Sequence, residues 1–208
     1  TTLIRSMHHS VNNAHAAAVY CSLTGHDRGE IGGGTRQSDN PSPGSVVTLL
    51  RPPTQVVVPH VTLPYITKEG ASGPPQPGFF GGFLGRGYDP LFVLRDPNSP
   101  NFGVPELTLQ AGVTAERLSV RRRLFSDLEH RFRAGSERRA ATAMSLFQSR
   151  AMDLLTSAAT QRAFRISEEP APVRERYGRN IYGQSVLLAR RLIEAGTRVV
   201  TVSWAPDR

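Results

Sequence analysis

Apolar residues recur at helical spacing in the second half of the chain, over 114–132, 136–163 and 180–195. Spacing of three and four residues places apolar side chains on one face of a helix, so we predict three helices. The third has the clearest pattern, and its predicted buried side consists of Val186, Leu187, Leu188, Leu192 and Ile193. It ends at Gly196, and the β-branched run 197–203 predicts a strand. A helix, a glycine and an apolar strand in succession are typical of an α/β fold.

The beginning of the chain predicts a strand, a polar corner and a helix. The strand lies near Leu3–Met7, and the alanine-rich helix extends from about Ala14 to Leu23. Asn12 or Asn13 is placed to cap the start of the helix, and Gly25 is placed to end it. This order delivers the intervening polar side chains to an edge of the sheet.

Two long segments, 26–44 and 70–105, are rich in glycine, proline and polar residues and predict loops or excursions from the fold. Between them, Ser45–Leu50 predicts a short helix entered through Pro43 and Gly44, and Gln55–Val58 predicts a strand. We expect the aromatic residues of the second loop to hold it against the domain, namely Phe79, Phe80, Phe83, Tyr88 and Phe92.

Length and composition are those of one folded domain over residues 1–208. The net charge of +8 comes from 24 Arg and one Lys. Eight Arg against three acidic residues lie within Arg117–Arg139, but no aromatic residues alternate with them, so we predict a solvated basic helix face and no nucleic-acid interface. Cys21 is the single cysteine, which excludes an intrachain disulfide, and its apolar neighbours predict a buried thiol. The sequence has no apolar run of membrane-spanning length.

The candidate chemistry lies in the stretch S-M-H-H-S-V-N-N-A-H, where His8 and His9 precede the predicted first helix and His15 lies at its start. His9 and His15 can face one cleft, whereas an extended backbone directs His8 elsewhere. Imidazole binds metals and transfers protons, although each of these histidines can equally be a hydrogen-bonded structural residue. The other histidines have no such surroundings, and we predict structural or solvated roles for His26, His60 and His130.

Two weaker candidates lie in the second loop. Arg86 stands between two glycines, where its guanidinium can meet an anionic substrate or remain solvated. Asp89 precedes Pro90, a position that can line a cleft and is also common in turns.

Seven sequence blocks, which cover nearly the whole chain, together resemble the bacterial domain-of-unknown-function 1501 proteins, placed in the alkaline phosphatase and sulfatase superfamily. The blocks are R-S-M-H-H-S, H-A-A-A-V-Y-C-S-L-T-G-H, G-F-L-G-R-G-Y-D-P-L-F-V, N-F-G-V-P-E-L, R-A-F-R-I-S-E-E-P, R-E-R-Y-G-R-N-I-Y-G-Q-S-V-L-L-A-R-R-L-I-E-A-G and R-V-V-T-V-S-W.

The resemblance implies an alkaline-phosphatase-like α/β sandwich with a mostly parallel central sheet flanked by helices, incomplete in this chain. It also implies a divalent metal held by Asp and His, with His9 and His15 as candidate ligands and most other ligands outside this chain. In the family, a W-D-x-H motif typically follows the last predicted strand, but here the sequence is Trp204-Ala205-Pro206-Asp207. We therefore expect an internal fragment, and the resemblance implies an exported protein.

The sulfatase motif C-x-P-S-R-x-x-L-x-T-G tests the opening stretch. When its end is aligned with Thr24-Gly25, His15 stands at the cysteine that becomes formylglycine, and Val19 at the arginine. Imidazole cannot be oxidised to formylglycine, and the position holds no Ser or Thr nucleophile. His15 can still act as a metal ligand, a general acid or base, or a nucleophile.

Two functions follow from the resemblance. The first is a metal-dependent hydrolase of sulfate or phosphate esters without formylglycine chemistry, in which Arg86 contacts a small-molecule or polysaccharide anionic ester. The alternative is a non-catalytic relative that binds anionic ligands such as sulfated polysaccharide. A nucleic-acid-binding function rests on net charge alone and ranks last.

Overall fold

The computed structural model describes residues 14–29, 33–68, 72–109, 112–132 and 138–204. Within these ranges lie the helices α1 (His15–Thr24), α2 (Pro43–Leu50), α3 (Ala115–Phe132), α4 (Arg138–Thr156), α5 (Ala158–Phe164), α6 (Ala171–Tyr177) and α7 (Ile181–Glu194). The strands are β1 (His60–Leu63), β2 (Leu91–Phe92) and β3 (Val199–Val202). Short 3-10 turns occupy Gly82–Leu84, Arg86–Tyr88, Pro105–Leu107 and Ile166–Glu168.

The three described strands form one parallel sheet in the order β2-β1-β3, which confirms the α/β class. His60 pairs with Val199 and Thr62 pairs with Thr201, so β1 and β3 run side by side along their whole lengths. All four residues of the central strand β1 are buried, as expected for a parallel strand covered on both faces.

The two faces of the sheet differ in polarity because side chains alternate along a strand. Val61 and Leu63 belong to the hydrophobic core, together with Leu187, Leu188 and Leu192 of α7. The intervening residues of β1 are polar and lie on the other face, where the ring of His60 contacts the start of α2. Helices α7 and α2 therefore cover opposite faces of the sheet.

Helix α7 begins one residue after the start of the helix predicted over 180–195, and Asn180 is its N-cap. The Asn180 side chain accepts hydrogen bonds from the backbone N–H groups of Tyr182 and Gly183. The predicted buried side was partly wrong, because Val186 and Ile193 are 47% and 49% exposed. These two residues are seven apart and share the solvent side, whereas Gln184 and Ser185 occupy fully buried positions on the inner side.

The strand predicted at Gln55–Val58 is wrong. Val57 and Val58 are buried, but the backbone bends there and β1 begins at His60. The backbone carbonyl of Pro59 accepts hydrogen bonds from Arg198 and Val199, which fixes the start of pairing with β3. Proline has no N–H to donate, so a proline before the strand is compatible with a strand that begins one residue later.

Two helix predictions also require correction. The continuous helix predicted over 136–163 is divided at Ser157, which caps α5 by accepting a hydrogen bond from the Thr160 N–H. The Ser157 hydroxyl also donates to the Val56 carbonyl oxygen at 2.7 Å, so the division ties α5 to the segment before β1. In α3, Leu124 and Phe125 are exposed, although their spacing predicted a buried side.

Some of the aromatic residues of the second long loop hold it against the domain, as predicted. Phe80 packs against Phe92 with 5.3 Å between ring centroids, and Tyr88 meets Phe147 of α4 edge to face at 5.5 Å. Phe83, by contrast, is 62% exposed and does not hold the loop. The free thiol of Cys21 is half-buried rather than buried.

Candidate functional site

Helix α1 presents His15 as its first residue, with the side chain exposed to solvent. The N-cap is Ala14 rather than Asn12 or Asn13, and Ala14 provides no side-chain cap. The first turn contains no acidic residue, so side chains of α1 do not neutralise the positive end of the helix dipole there. The dipole at this end of α1 therefore favours an anionic group.

A buried polar cluster anchors α1 to the rest of the domain. The Tyr20 hydroxyl accepts hydrogen bonds from the backbone N–H and the side-chain Nδ2 of Asn40, at 2.7 and 2.9 Å. The Arg28 guanidinium lies 5.5 Å from the Tyr20 ring centroid and pairs with the Asp39 carboxylate at 3.4 Å. These residues fix the helix that carries His15, so they support the candidate site without belonging to it.

The sequence patterns did not predict this cluster. Its single sequence signal was the Asp39-Asn40-Pro41 run, which is typical of turns. The pairing of Asp39 with Arg28 depends on the path of the intervening loop, and that path leaves no periodic pattern in the sequence.

Arg86 occupies an exposed position in the turn before β2. The turn is fixed to α2, because the Ser45 hydroxyl donates to the Tyr88 carbonyl oxygen at 2.8 Å. The Asp89 carboxylate accepts a hydrogen bond from the Gly81 N–H at 2.7 Å, as in a structural turn. Burial raises the pKa of Asp89, while the Gly81 hydrogen bond and the Arg86 charge act in the opposite direction.

The amino ends of the strands meet at the start of α2. Gly44 contacts the His60 ring at the first residue of β1, and Ser45 binds the turn that leads into β2. Burial lowers the pKa of His60 to about 4, so this histidine is neutral at physiological pH. Arg86 is therefore on the amino side of the sheet.

The carboxyl side of the sheet carries an aromatic cluster. Trp204 follows β3 and stacks on Tyr182 at the start of α7, with 3.9 Å between ring centroids. Tyr65, which follows β1, meets Tyr182 edge to face at 6.3 Å. Ligands of parallel α/β sheets bind beyond the carboxyl ends of the strands, so this side, rather than the side of Arg86, is the expected place for a site.

Of the residues predicted to form the site, His15 and Arg86 lie within the described ranges. No hydrogen bond or ion pair among the described residues joins His15 to Arg86. His9, like His8 and Asp207, lies outside the described ranges. Over those same ranges, no group of three or more His, Cys, Asp or Glu side chains could hold a metal ion. The described residues alone do not form a site for the expected divalent metal, which stays a prediction.

The fold defines an α/β protein with a small three-stranded parallel sheet flanked by helices. Over residues 1–205 the chain matches the family described as Protein of unknown function (DUF1501), and it belongs to that family. No curated protein and no solved structure matches the chain. None of the helices in the described ranges is long and apolar enough to cross a membrane.

Proposed function

We propose that the chain is part of a metal-dependent hydrolase of sulfate or phosphate esters that acts without a formylglycine. The observation that carries this proposal is the exposed imidazole of His15 at the first residue of α1. An anionic ester placed there would be favoured by the helix dipole and by backbone N–H groups that no side chain of the N-cap occupies.

The anchoring of α1 supports the proposal. Because Tyr20 is buried and held by Asn40, the helix has a fixed position from which His15 can bind a ligand or move a proton. A general acid or base must be held within hydrogen-bond reach of the reacting group, and a rigid helix provides this. His15 would act as a general acid at the leaving oxygen or as a ligand of the metal.

We also propose that the complete protein has an alkaline-phosphatase-like α/β sandwich fold. It is supported by the all-parallel order β2-β1-β3 and by helices on both faces of the sheet. The divalent metal expected for this class would be held by His15 together with residues outside the described ranges, His9 among them. Such a metal would polarise the ester oxygen.

The test uses the full-length protein. Bound metal is measured by elemental analysis, and turnover is measured on 4-nitrophenyl sulfate and 4-nitrophenyl phosphate. We expect bound metal and turnover, with His15→Ala lowering kcat by about 100-fold, the lower range for a lost general acid or base. His26→Ala is the matched control, because His26 is also exposed and lies just beyond the other end of α1.

Equal turnover in His15→Ala and His26→Ala, or a metal-free protein without turnover on either ester, would refute the hydrolase proposal. Arg86→Gln tests the expected substrate contact separately. A raised KM with unchanged kcat would support this contact, and an unchanged KM would exclude it.

The alternative function is non-catalytic binding of a sulfated polysaccharide. It is favoured by the exposed arginines of α3, namely Arg117, Arg121, Arg122 and Arg123. Such a run offers several guanidinium groups to successive sulfates. In this case full-length protein would bind heparin in a salt-dependent manner, and Arg121→Gln/Arg123→Gln would weaken binding while His15→Ala would not. Binding unaffected by the paired substitution would exclude this role for α3.

A further inference from the structure

A cleft of about 260 Å³ lies between the segment after β2 and the end of α5. Its residues come from two distant stretches of sequence, 99–108 and 161–174, which the fold brings together. The volume is just below the usual range of small-molecule sites, so a ligand would be small.

The floor of the cleft is part of the hydrophobic core. Val104, Leu107, Phe164 and Ile166 line the cleft and are buried within the core cluster. Their positions are fixed by packing, so the apolar surface is present before a ligand arrives. A ring or short aliphatic group would fit against this floor.

The rim of the cleft is cationic. Arg165 and Arg174 line it, and none of the described residues of the lining is acidic. The Arg174 guanidinium donates from Nε to the Gln184 side-chain oxygen at 2.7 Å, which orients the group. Burial lowers the pKa of Arg174, and the nearby charge of Arg179 acts in the same direction. An anion placed at the rim would relieve that repulsion.

The Arg165 guanidinium can still donate hydrogen bonds to a ligand. Its contact with Glu168 is long, 3.5 Å, and its side chain is 58% exposed. Glu168 also bonds Arg191, so it does not belong to Arg165 alone. Hydroxyl groups of Ser99, Thr108 and Ser167 supply further donors around the opening.

We propose that this cleft binds a small amphipathic anion, a single ring or short aliphatic group bearing one sulfonate, sulfate, phosphate or carboxylate. The apolar part lies on the core residues, and the anionic part lies between Arg165 and Arg174. The proposal does not depend on ester hydrolysis or on His15.

The test is calorimetric titration of the full-length protein with benzenesulfonate, which has no ester bond to cleave. We expect binding, much weaker binding of inorganic sulfate, and no detectable binding of benzyl alcohol. Arg165→Gln should weaken benzenesulfonate binding by about tenfold, the effect of one lost hydrogen bond to a charged group. Arg150→Gln, which removes the same charge from an exposed position on α4, should leave binding unchanged.

Gly103 provides a steric test. It lines the cleft, its φ is not positive, and a Cβ there would meet no atom within 4 Å. Gly103→Leu should therefore fold and reduce binding by at least tenfold. The proposal is overturned if benzyl alcohol binds as tightly as benzenesulfonate, or if Arg165→Gln and Gly103→Leu both bind normally. Loss of binding in His15→Ala, with binding retained in Arg165→Gln, would assign the probe to the ester site and also overturn it.

Discussion

Gly44, the second residue of α2, lies directly against the imidazole ring of His60, the first residue of β1. A Cβ at Gly44 would overlap the ring, and His60 is only 4% exposed, so its ring has little room to move. The glycine is therefore required by close packing between helix and sheet rather than by backbone conformation.

Gly44→Ala is expected to destabilise the protein despite the better helix propensity of alanine. Overpacking against a buried ring costs about 1–3 kcal/mol, more than the roughly 1 kcal/mol that alanine gains in a helix. Chemical denaturation measures the loss. In a His60→Ala background the same substitution should be neutral or stabilising, and equal costs in both backgrounds would contradict the contact.

His60 should make stability depend on pH. An unfolded histidine has a pKa of about 6.5, whereas burial lowers the pKa of His60 to about 4. Between these values the unfolded chain binds a proton that the folded chain does not, so acidification favours unfolding. Above about pH 6.5 the titration of His60 does not affect stability. As the pH falls from there towards 4, the free energy of unfolding decreases by up to about 1.4 kcal/mol per pH unit. Denaturation at several pH values should give His60→Asn a shallower slope, and identical slopes would disprove the assignment.

Gln184→Met should be strongly destabilising although the shape is nearly conserved. The fully buried amide donates to the carbonyl oxygens of Arg174 and Gly178 at 2.9 and 2.8 Å, and accepts from the Arg174 guanidinium. Methionine leaves these groups without their partner, at a cost of about 3 kcal/mol. Urea unfolding of Gln184→Met beside Val186→Met, an exposed position on the same helix, provides the comparison. A change below 1 kcal/mol would show that the amide is dispensable.

Arg191→Met should also lower the free energy of unfolding by about 3 kcal/mol, because the nearly buried Glu169 carboxylate loses one of its partners. The Arg191 guanidinium also donates to the carbonyl oxygens of Arg162 and Ala163, which joins α7 to α5. Arg122→Met removes the exposed pair with Asp153 and should cost less than about 1 kcal/mol. Thermal unfolding of the two variants tests the difference, and similar losses would refute it.

Gly183→Ala and Gly103→Ala form a matched pair. A Cβ at Gly183 would overlap the Tyr177 carbonyl oxygen and crowd that of Gly178, and backbone atoms yield little. We expect a loss of at least about 2 kcal/mol at Gly183 and a change within about 0.5 kcal/mol at the open position 103. Comparable stability of both variants in denaturant would mean that α6 and α7 separate easily.

The sequence predicted those parts of the fold that depend on local signals. Helix α7 was predicted to within a residue at each end, and α1 with its end at Gly25, because helical spacing and C-terminal glycines are local signals. The strand at 55–58 was wrong, since the position of β1 is set by pairing with a distant segment after Pro59. Apolar character alone also failed to identify the buried side of α7, where Gln184 is buried and Val186 is not.

The candidate sites were less predictable than the fold. His15 stood out because of its neighbours in sequence, and its functional role stays a prediction. The cleft had no sequence signal, because Gly103 and Arg165 lie in separate segments with unrelated patterns. The same is true of the pair formed by Arg28 and Asp39, whose meeting depends on the path of a loop.

The pairing of β1 with β3 has a consequence for the order of folding. His60 and Val199 are about 140 residues apart, and closing a flexible loop of that length costs roughly 4 kcal/mol. Non-local pairing of this kind makes folding slow. During synthesis, β1 leaves the ribosome long before β3 exists, and its apolar residues Val61 and Leu63 then lack α7 as well. The apolar residues of β1 therefore stay without their native partners until α7 and β3 have both been synthesised.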